Sequence, residues 1–282
     1  MLIKARAKIN WALNVLGRRP DGYHQLDMLN QRLTLADDVH LSPASSISLD
    51  VTGNARVPAG PGNLVWRAAE LLKARFGVSQ GVRIQLHKRI PSGAGLAGGS
   101  ADAAAVLLGL NRLWGLGLSL QKIREMGIEL GADVPYCLAG GFARVGGIGE
   151  EITPLPNALR LHLVLIQPEG GLSTRKVFER LDAQVPGEPA NIPGLIQALA
   201  LGNPYNLHPY ARNQLQQAAA SLCPEVPEAI SDLKARGAAF AQLTGAGSLV
   251  YGVFSNDEMA RMAQKKLSRR WQTCLAAQTV AV

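Results

Sequence analysis

The residues from Pro91 to Ala105, Pro-Ser-Gly-Ala-Gly-Leu-Ala-Gly-Gly-Ser-Ala-Asp-Ala-Ala-Ala, have the types and spacing that hold phosphate. Gly93, Gly95, Gly98 and Gly99 free the backbone to approach a ligand closely. The Ala/Leu-rich segment after them has helical character, so its free N–H groups and positive dipole end point into the loop. Two familiar phosphate loops can be eliminated. Gly93-x-Gly95-x-x-Gly98 matches the dinucleotide fingerprint as a string, but no second strand ending in an acidic residue follows about 20 residues on. Gly93 and Gly98 also have Walker A spacing, yet Gly99 and Ser100 stand where that motif needs Lys and Ser/Thr.

The elements that must position this loop are readable around it. Val82–Lys88 alternates apolar and polar residues and predicts a strand, so the order is strand, glycine loop, helix over 101–113. Leu2 to about Leu16 predicts a first strand, with Lys4, Arg6, Lys8 and Asn10 on its polar face. Gly17-Arg-Arg-Pro-Asp-Gly-Tyr-His24 is a turn, and strands are predicted at 33–41 and 47–51. Asn63 is placed to cap a helix over 64–76, and Ser119 to cap one over 120–130 that Gly131 ends. Pro135 disfavours a helical Val134, which predicts Asp133 at a helix-to-strand junction. From about Thr153-Pro-Leu-Pro156 the chain changes domain. A strand at 161–166, helices near 210–222 and 225–236, and a loop Thr244-Gly-Ala-Gly-Ser248 between two strands follow.

The glycine loop, Gly131-Ala-Asp-Val-Pro-Tyr136 and Thr244-Gly-Ala-Gly-Ser248 together resemble, in the same order, the three motifs of the GHMP kinases, the family of galactokinase, homoserine kinase and mevalonate kinase. Ala7-Lys-Ile-Asn-Trp-Ala-Leu13 with Gly17–Leu26 is similar to the N-terminal signature of one branch of that family. The resemblance implies an α+β, two-domain GHMP kinase fold. An S5-like nucleotide-binding domain would occupy 1–154 and a ferredoxin-like α/β sandwich 155–282, with the active site in the cleft between them. It implies ATP with Mg²⁺, and a cytidine-diphosphate sugar alcohol as the small-molecule acceptor. Asp133 would be the general base, and Lys8 beside it would offset charge on the transferring group. Pro91, Gly93, Ala94, Gly95, Leu96, Ala97, Gly98, Gly99 and Ser100 would cradle the ATP phosphates, with Asn63 and Lys88 near the adenosine. Asn10, Tyr23, His24, Thr174, Phe178, Gly245 and Gly247 would meet the acceptor. In that set Tyr23 and Phe178 sandwich the cytosine, Thr174 also caps its helix, and the backbone donors of the third motif face phosphate. Stacking of a base on an aromatic ring contributes about 1–3 kcal/mol.

The chain departs from the family pattern at Ala97 and Ala101, which stand where Gly and Ser are usual. Ala97 is tolerable if its φ is negative, and the missing hydroxyl at 101 removes one metal or phosphate contact. Tyr205-Asn-Leu-His208 replaces a more usual Asn-Asp-Leu-Glu. Two competing readings are another GHMP kinase, against which the Tyr23-His24 segment argues, and a catalytically silent nucleotide-binding relative, against which the intact Lys8 and Asp133 argue.

Composition sets the outer bounds. The chain has 282 residues, 47% of them hydrophobic, and a net charge of +8. This suits an anionic small molecule, while 5% aromatic residues and no long basic run argue against a nucleic-acid partner. Three cysteines, far apart and without metal-ligand spacing, predict buried reduced thiols and no metal-binding cluster. The absence of a long apolar run or a signal-type start predicts no membrane partner and a cytoplasmic location, as a monomer or homodimer.

Overall fold

Apolar residues alternating from Leu2 onward build the edge of the first sheet. The computed structural model describes residues 1–53, 57–156, 159–169 and 171–281. In its first half, β1 (Leu2–Arg18), β2 (His24–Ala44), β3 (Ile47–Gly53), α1 (Leu64–Arg75), β4 (Gly81–Lys88), α2 (Gly98–Leu113), α3 (Leu120–Gly127), α4 (Val134–Ala139), β5 (Phe142–Gly147) and β6 (Glu151–Pro154) follow in order. The second half carries β7 (His162–Gln167), α5 (Thr174–Asp182), α6 (Ile192–Ala200), α7 (Gln216–Leu222), α8 (Glu225–Ala235), β8 (Phe240–Leu243), β9 (Val250–Phe254), α9 (Asp257–Leu267) and β10 (Thr273–Gln278).

The long β2 organises the first sheet. β1 pairs along one side of it, while β5 and β4 divide the other side between its two ends, and β3 joins β4 in parallel. β2 begins at His24, well before the expected 33, because both sides of residues 26–31 are paired with neighbouring strands. Polar residues such as Asp27, Asn30 and Gln31 hide this in the sequence. Helix α2 packs on β1 and β2 and is enclosed by α1 and α4 as well, so Ala101, Ala103, Ala104 and Ala105 are all buried. Gly109 lets the helix approach the sheet closely, since a Cβ there would press on the terminal methyls of Leu41 and Ile3. α3 stops at Gly127, earlier than expected, because the chain continues in tight turns that bond Leu130 and Gly131 back to Gly127.

The second sheet, in the order β10-β7-β9-β8, is antiparallel and packs on the first. Ala7, Ile9, Trp11, Leu29 and Leu33 share one apolar cluster with Leu163, Leu165, Tyr251 and Val253. Trp11 meets Tyr251 edge-on at 5.5 Å and donates to Gln31 Oε1 at 2.8 Å. The middle of β1 is therefore enclosed. Lys4 and Arg6 keep the partly solvated polar face expected of them, whereas Lys8 and Asn10 are buried. Cys137, Cys223 and Cys274 are free and buried, and burial pushes the Cys223 and Cys274 thiols up to about 11. Among the described residues no helix is long and apolar enough to cross a membrane.

Candidate active site

The glycine loop is fixed at its root by buried charge. Lys88, the last residue of β4, lies between Asp37 and Asp102, and its ammonium is 2.6 Å from Asp102 Oδ2. Asp37 Oδ1 also accepts the backbone N–H groups of Arg89 and Ile90. Burial opposes the Lys88 charge, but the carboxylates of Asp102 and Asp37 outweigh it and raise its pKa. Burial pushes the Asp102 carboxyl up to about 7, with Asp37 adding to the rise against Lys88. One buried cation thus faces two carboxyl groups, and the like charge of Asp37 disfavours ionisation of Asp102. Asp102 Oδ1 has no hydrogen-bond partner among the described residues.

Beyond this root the loop turns through positive φ at Gly93, Gly95 and Ala97. Ala97, at φ 56°, has the left-handed conformation and not the negative φ on which its tolerance rested, because it is the residue from which the chain reverses into α2. Gly95 packs against the third motif: a Cβ there would lie 2.3 Å from the Thr244 carbonyl oxygen. The side chains of Ala94 and Leu96 are buried. These residues, with Pro91, Gly98, Gly99 and Ser100, line a groove of about 370 Å³ that Asn63, Lys88 and Asp102 also border. The Asn63 amide is used inside the protein, capping α1 through Val65 N and donating to the Pro58 carbonyl. The Lys88 ammonium is likewise committed to its two carboxylates.

Lys8 and Asn10 stand where irregularities interrupt the β1–β2 register, between Arg6 and Lys8 and again between Asn10 and Ala12. Such bulges re-aim side chains. The Lys8 backbone N–H donates to the Leu96 carbonyl, tying β1 to the glycine loop. Its ammonium donates to Asn10 Oδ1 at 2.7 Å and lies 4.0 Å from Asp133 Oδ1. Asn10 Nδ2 donates to Asn30 Oδ1 at 2.7 Å, and its Oδ1 accepts the Gly245 N–H at 2.9 Å. Asn10 is thus a buried joint between β1, β2 and the third motif.

Asp133 precedes α4 and not a strand. Proline lacks an N–H that the first helical turn would leave unbonded, so Pro135 is accommodated in the first turn and Val134 is helical. The carboxylate remains 39% exposed beside the nearly enclosed Lys8.

A second cavity, of about 660 Å³, is lined by Lys8, Asn10, Tyr23, His24, Asp133, Thr174, Phe178, Asp182 and Gly245, among others. Tyr23 is exposed at its rim. The Phe178 ring stacks on His24, centroids 4.6 Å apart and planes at 23°, so one of its faces is already covered. Ser173, not Thr174, occupies the capping position of α5. The N–H groups expected to face phosphate in the third motif are used internally: that of Gly245 goes to Asn10 and that of Gly247 to the Thr244 carbonyl. Gly247 lines neither cavity and backs onto Leu243 and Leu172. The two cavities meet at Gly95, Asp133 and Thr174. The residues that sequence reasoning missed are Asp37, Asp102 and Asp182. Asp102 sits within the glycine-rich motif, while Asp37 and Asp182 have no local signal.

Comparison with known proteins gives concordant results. The models of the GHMP kinases N-terminal domain and GHMP kinases C-terminal match residues 63–141 and 195–273. The chain is 40% identical over 277 residues to a 4-diphosphocytidyl-2-C-methyl-D-erythritol kinase of Pelotomaculum thermopropionicum, covering 98% of this chain and 96% of that one. It is 38% identical to the protein of the same name from Lachnoclostridium phytofermentans, over 93% of this chain and 90% of that one. A crystal structure of 4-(cytidine 5'-diphospho)-2C-methyl-D-erythritol kinase superposes over 100% of both chains with TM-score 0.85 and 35% identity. A homoserine kinase from Cytophaga hutchinsonii, at TM-score 0.73 and 19% identity over 99% of this chain and 95% of that one, shares the fold.

Proposed function

The chain belongs to the GHMP kinases and, within them, to the 4-diphosphocytidyl-2-C-methyl-D-erythritol kinases, and on that premise we propose how its two cavities divide the work. The enzyme phosphorylates 4-diphosphocytidyl-2-C-methyl-D-erythritol at the expense of ATP, in the non-mevalonate route to isoprenoid precursors. In our reading the glycine groove takes ATP, the larger cavity takes the cytidylated acceptor, and the γ-phosphate moves to the acceptor's 2-hydroxyl where they meet. The observation that carries this is the convergence of both cavities on Asp133, with the Lys8 ammonium 4.0 Å from its carboxylate.

Phosphoryl transfer asks little covalent chemistry of a protein beyond positioning and charge stabilisation. Asp133 orients the 2-hydroxyl and takes its proton as the oxygen attacks the γ-phosphorus. The new O–P bond forms as the bond to the β,γ-bridging oxygen breaks, and ADP leaves. Lys8, held by Asn10, offsets the negative charge spreading over the transferring group. The first N–H groups of α2 and the backbone of the glycine loop hold the remaining phosphates.

Magnesium usually keeps several waters and takes one or two carboxylates plus phosphate oxygens. Ser100 and Asp133 border the groove and are the residues that would share such an ion with the nucleotide's phosphates. Bound there, Mg²⁺ would neutralise β- and γ-phosphate charge.

The test is ADP release from Mg-ATP with the cytidylated acceptor, run beside mevalonate, homoserine, galactose and no acceptor. Turnover with the cytidylated acceptor alone is the expected result. Turnover with another acceptor would remove the cytidine assignment, and the absence of turnover with every acceptor would leave a silent nucleotide-binding protein.

A further inference from the structure

The polar row that begins β1 stays outside the enclosure that claims the middle of the strand. Lys4 and Arg6, two residues apart, share one face of the first sheet. Asp38 of β2 stands opposite Lys4, and Ala36 opposite Arg6. Arg89 follows the end of β4 on the other side of β2. Around the short Ala36 side chain these three cations, with Thr34, Leu35 and Ala276 of β10, line a cleft of about 300 Å³. It shares no lining residue with either cavity of the active site.

The charges in the cleft do not cancel. Asp38 takes Lys4 Nζ at 2.5 Å on one oxygen and Arg89 Nη2 at 2.8 Å on the other. The Arg89 hydrogen bond, with Lys4 adding to it, holds the Asp38 carboxyl down at about 2, so it stays ionised. The next carboxylate along β2, Asp37, is buried and turned away to Lys88. Arg6 forms no ion pair with any described residue, and its Nη1 makes a long bond to the Leu33 carbonyl at 3.5 Å. Thr34 Oγ1 accepts the Gln278 N–H, which leaves its own proton to donate. Three cations thus share one carboxylate in a concave site, and one of them is a guanidinium with five N–H donors and no paired anion.

A tetrahedral oxyanion supplies what this cleft lacks, since arginine forks match phosphate oxygens in pairs and lysine adds a point charge. We propose that the cleft is a further phosphate site, separate from the catalytic ones, that takes free phosphate or the phosphate group of a monoester. Arg6, Arg89, Lys4 and Thr34 donate to it, and Asp38 holds the two outer cations in place. Merely solvated cations would attract anions only through a diffuse field, to which any exposed cation contributes alike.

The experiment titrates inorganic phosphate, and in parallel glycerol 3-phosphate, calorimetrically into the enzyme at constant ionic strength. The active site is first filled with Mg²⁺, a non-hydrolysable ATP analogue and the cytidylated acceptor. The expected result is one site per chain for at least one probe, the tighter probe telling whether the phosphate is free or esterified. Arg6→Gln should weaken that binding by about tenfold or more. Lys265→Gln, which removes the same charge from the exposed end of α9, should leave it unmoved. No saturable binding of either probe, undiminished binding in Arg6→Gln, or equal weakening by the two substitutions overturns the proposal and leaves diffuse surface charge. A reading free of any substitution comes from wild-type crystals soaked in tungstate: an anomalous peak between Arg6 and Arg89 is expected, and a cleft without one contradicts the proposal.

Discussion

Asp133 owes its place to a neighbouring proline. Pro135 in the first turn of α4 leaves the aspartate just outside the helix, at the point where both cavities and Lys8 converge. If it removes the hydroxyl proton, Asp133→Ala should lose at least about 10²-fold in kcat, while calorimetric titration still finds ATP binding. Near-normal turnover would remove the assignment. Lys8 and Asp133 were legible in the sequence because motifs placed them, and no element boundary was needed. Asn63 and Lys88 were legible as positions but not in what holds them, since the partners of Lys88 come from β2 and α2. Local alternation says nothing about such distant carboxylates.

At the scale of elements, the glycine loop and α2 carry two opposed costs. Ala97 is held left-handed, which costs an L-residue about 1–2 kcal/mol, against about 0.5–1 kcal/mol of backbone entropy for glycine. Ala97→Gly should therefore stabilise the protein by up to about 1 kcal/mol and raise Tm by about 2–4 °C in a thermal melt. A lower Tm would show that the alanine methyl contributes packing that outweighs its strain. Asp102 carries the second cost, because burial raises its pKa from 3.8 to about 7. Between those two values the folded chain binds the proton and the unfolded chain does not, so this group lowers stability as pH rises through that window. Asp102→Asn cannot titrate. Urea unfolding should accordingly show the wild type losing stability relative to this variant from about pH 4 to about pH 7, and a constant difference would mean that the carboxyl is ionised throughout. Strand β4 and α1 were legible from period and caps, whereas α2 begins at Gly98, ahead of the expected 101, after an Ala97 that offers no side-chain cap. The first half of β2 was not legible, because pairing on both sides overrides the single-face alternation that a sequence displays.

Across the whole molecule, the two halves form one working unit. Gln242 Nε2 donates to the Trp11 carbonyl at 2.9 Å and the Tyr251 hydroxyl to the Asn10 carbonyl at 3.0 Å, so the second sheet holds the strand that carries Lys8. Gly95 and Thr244 meet backbone to backbone across the same seam. The order of three motifs made the two-domain fold legible, but not this enclosure: alternation along β1 predicts a solvated polar row, and only the second sheet removes water from Lys8 and Asn10. If the two cavities divide the substrates as proposed, their meeting at Asp133 lets phosphate pass directly from ATP to the acceptor with both bound together. Initial rates with ATP and 4-diphosphocytidyl-2-C-methyl-D-erythritol varied together test this most directly. The account predicts reciprocal plots that intersect, as a ternary complex requires; parallel lines, with release of ADP before the acceptor binds, would contradict it.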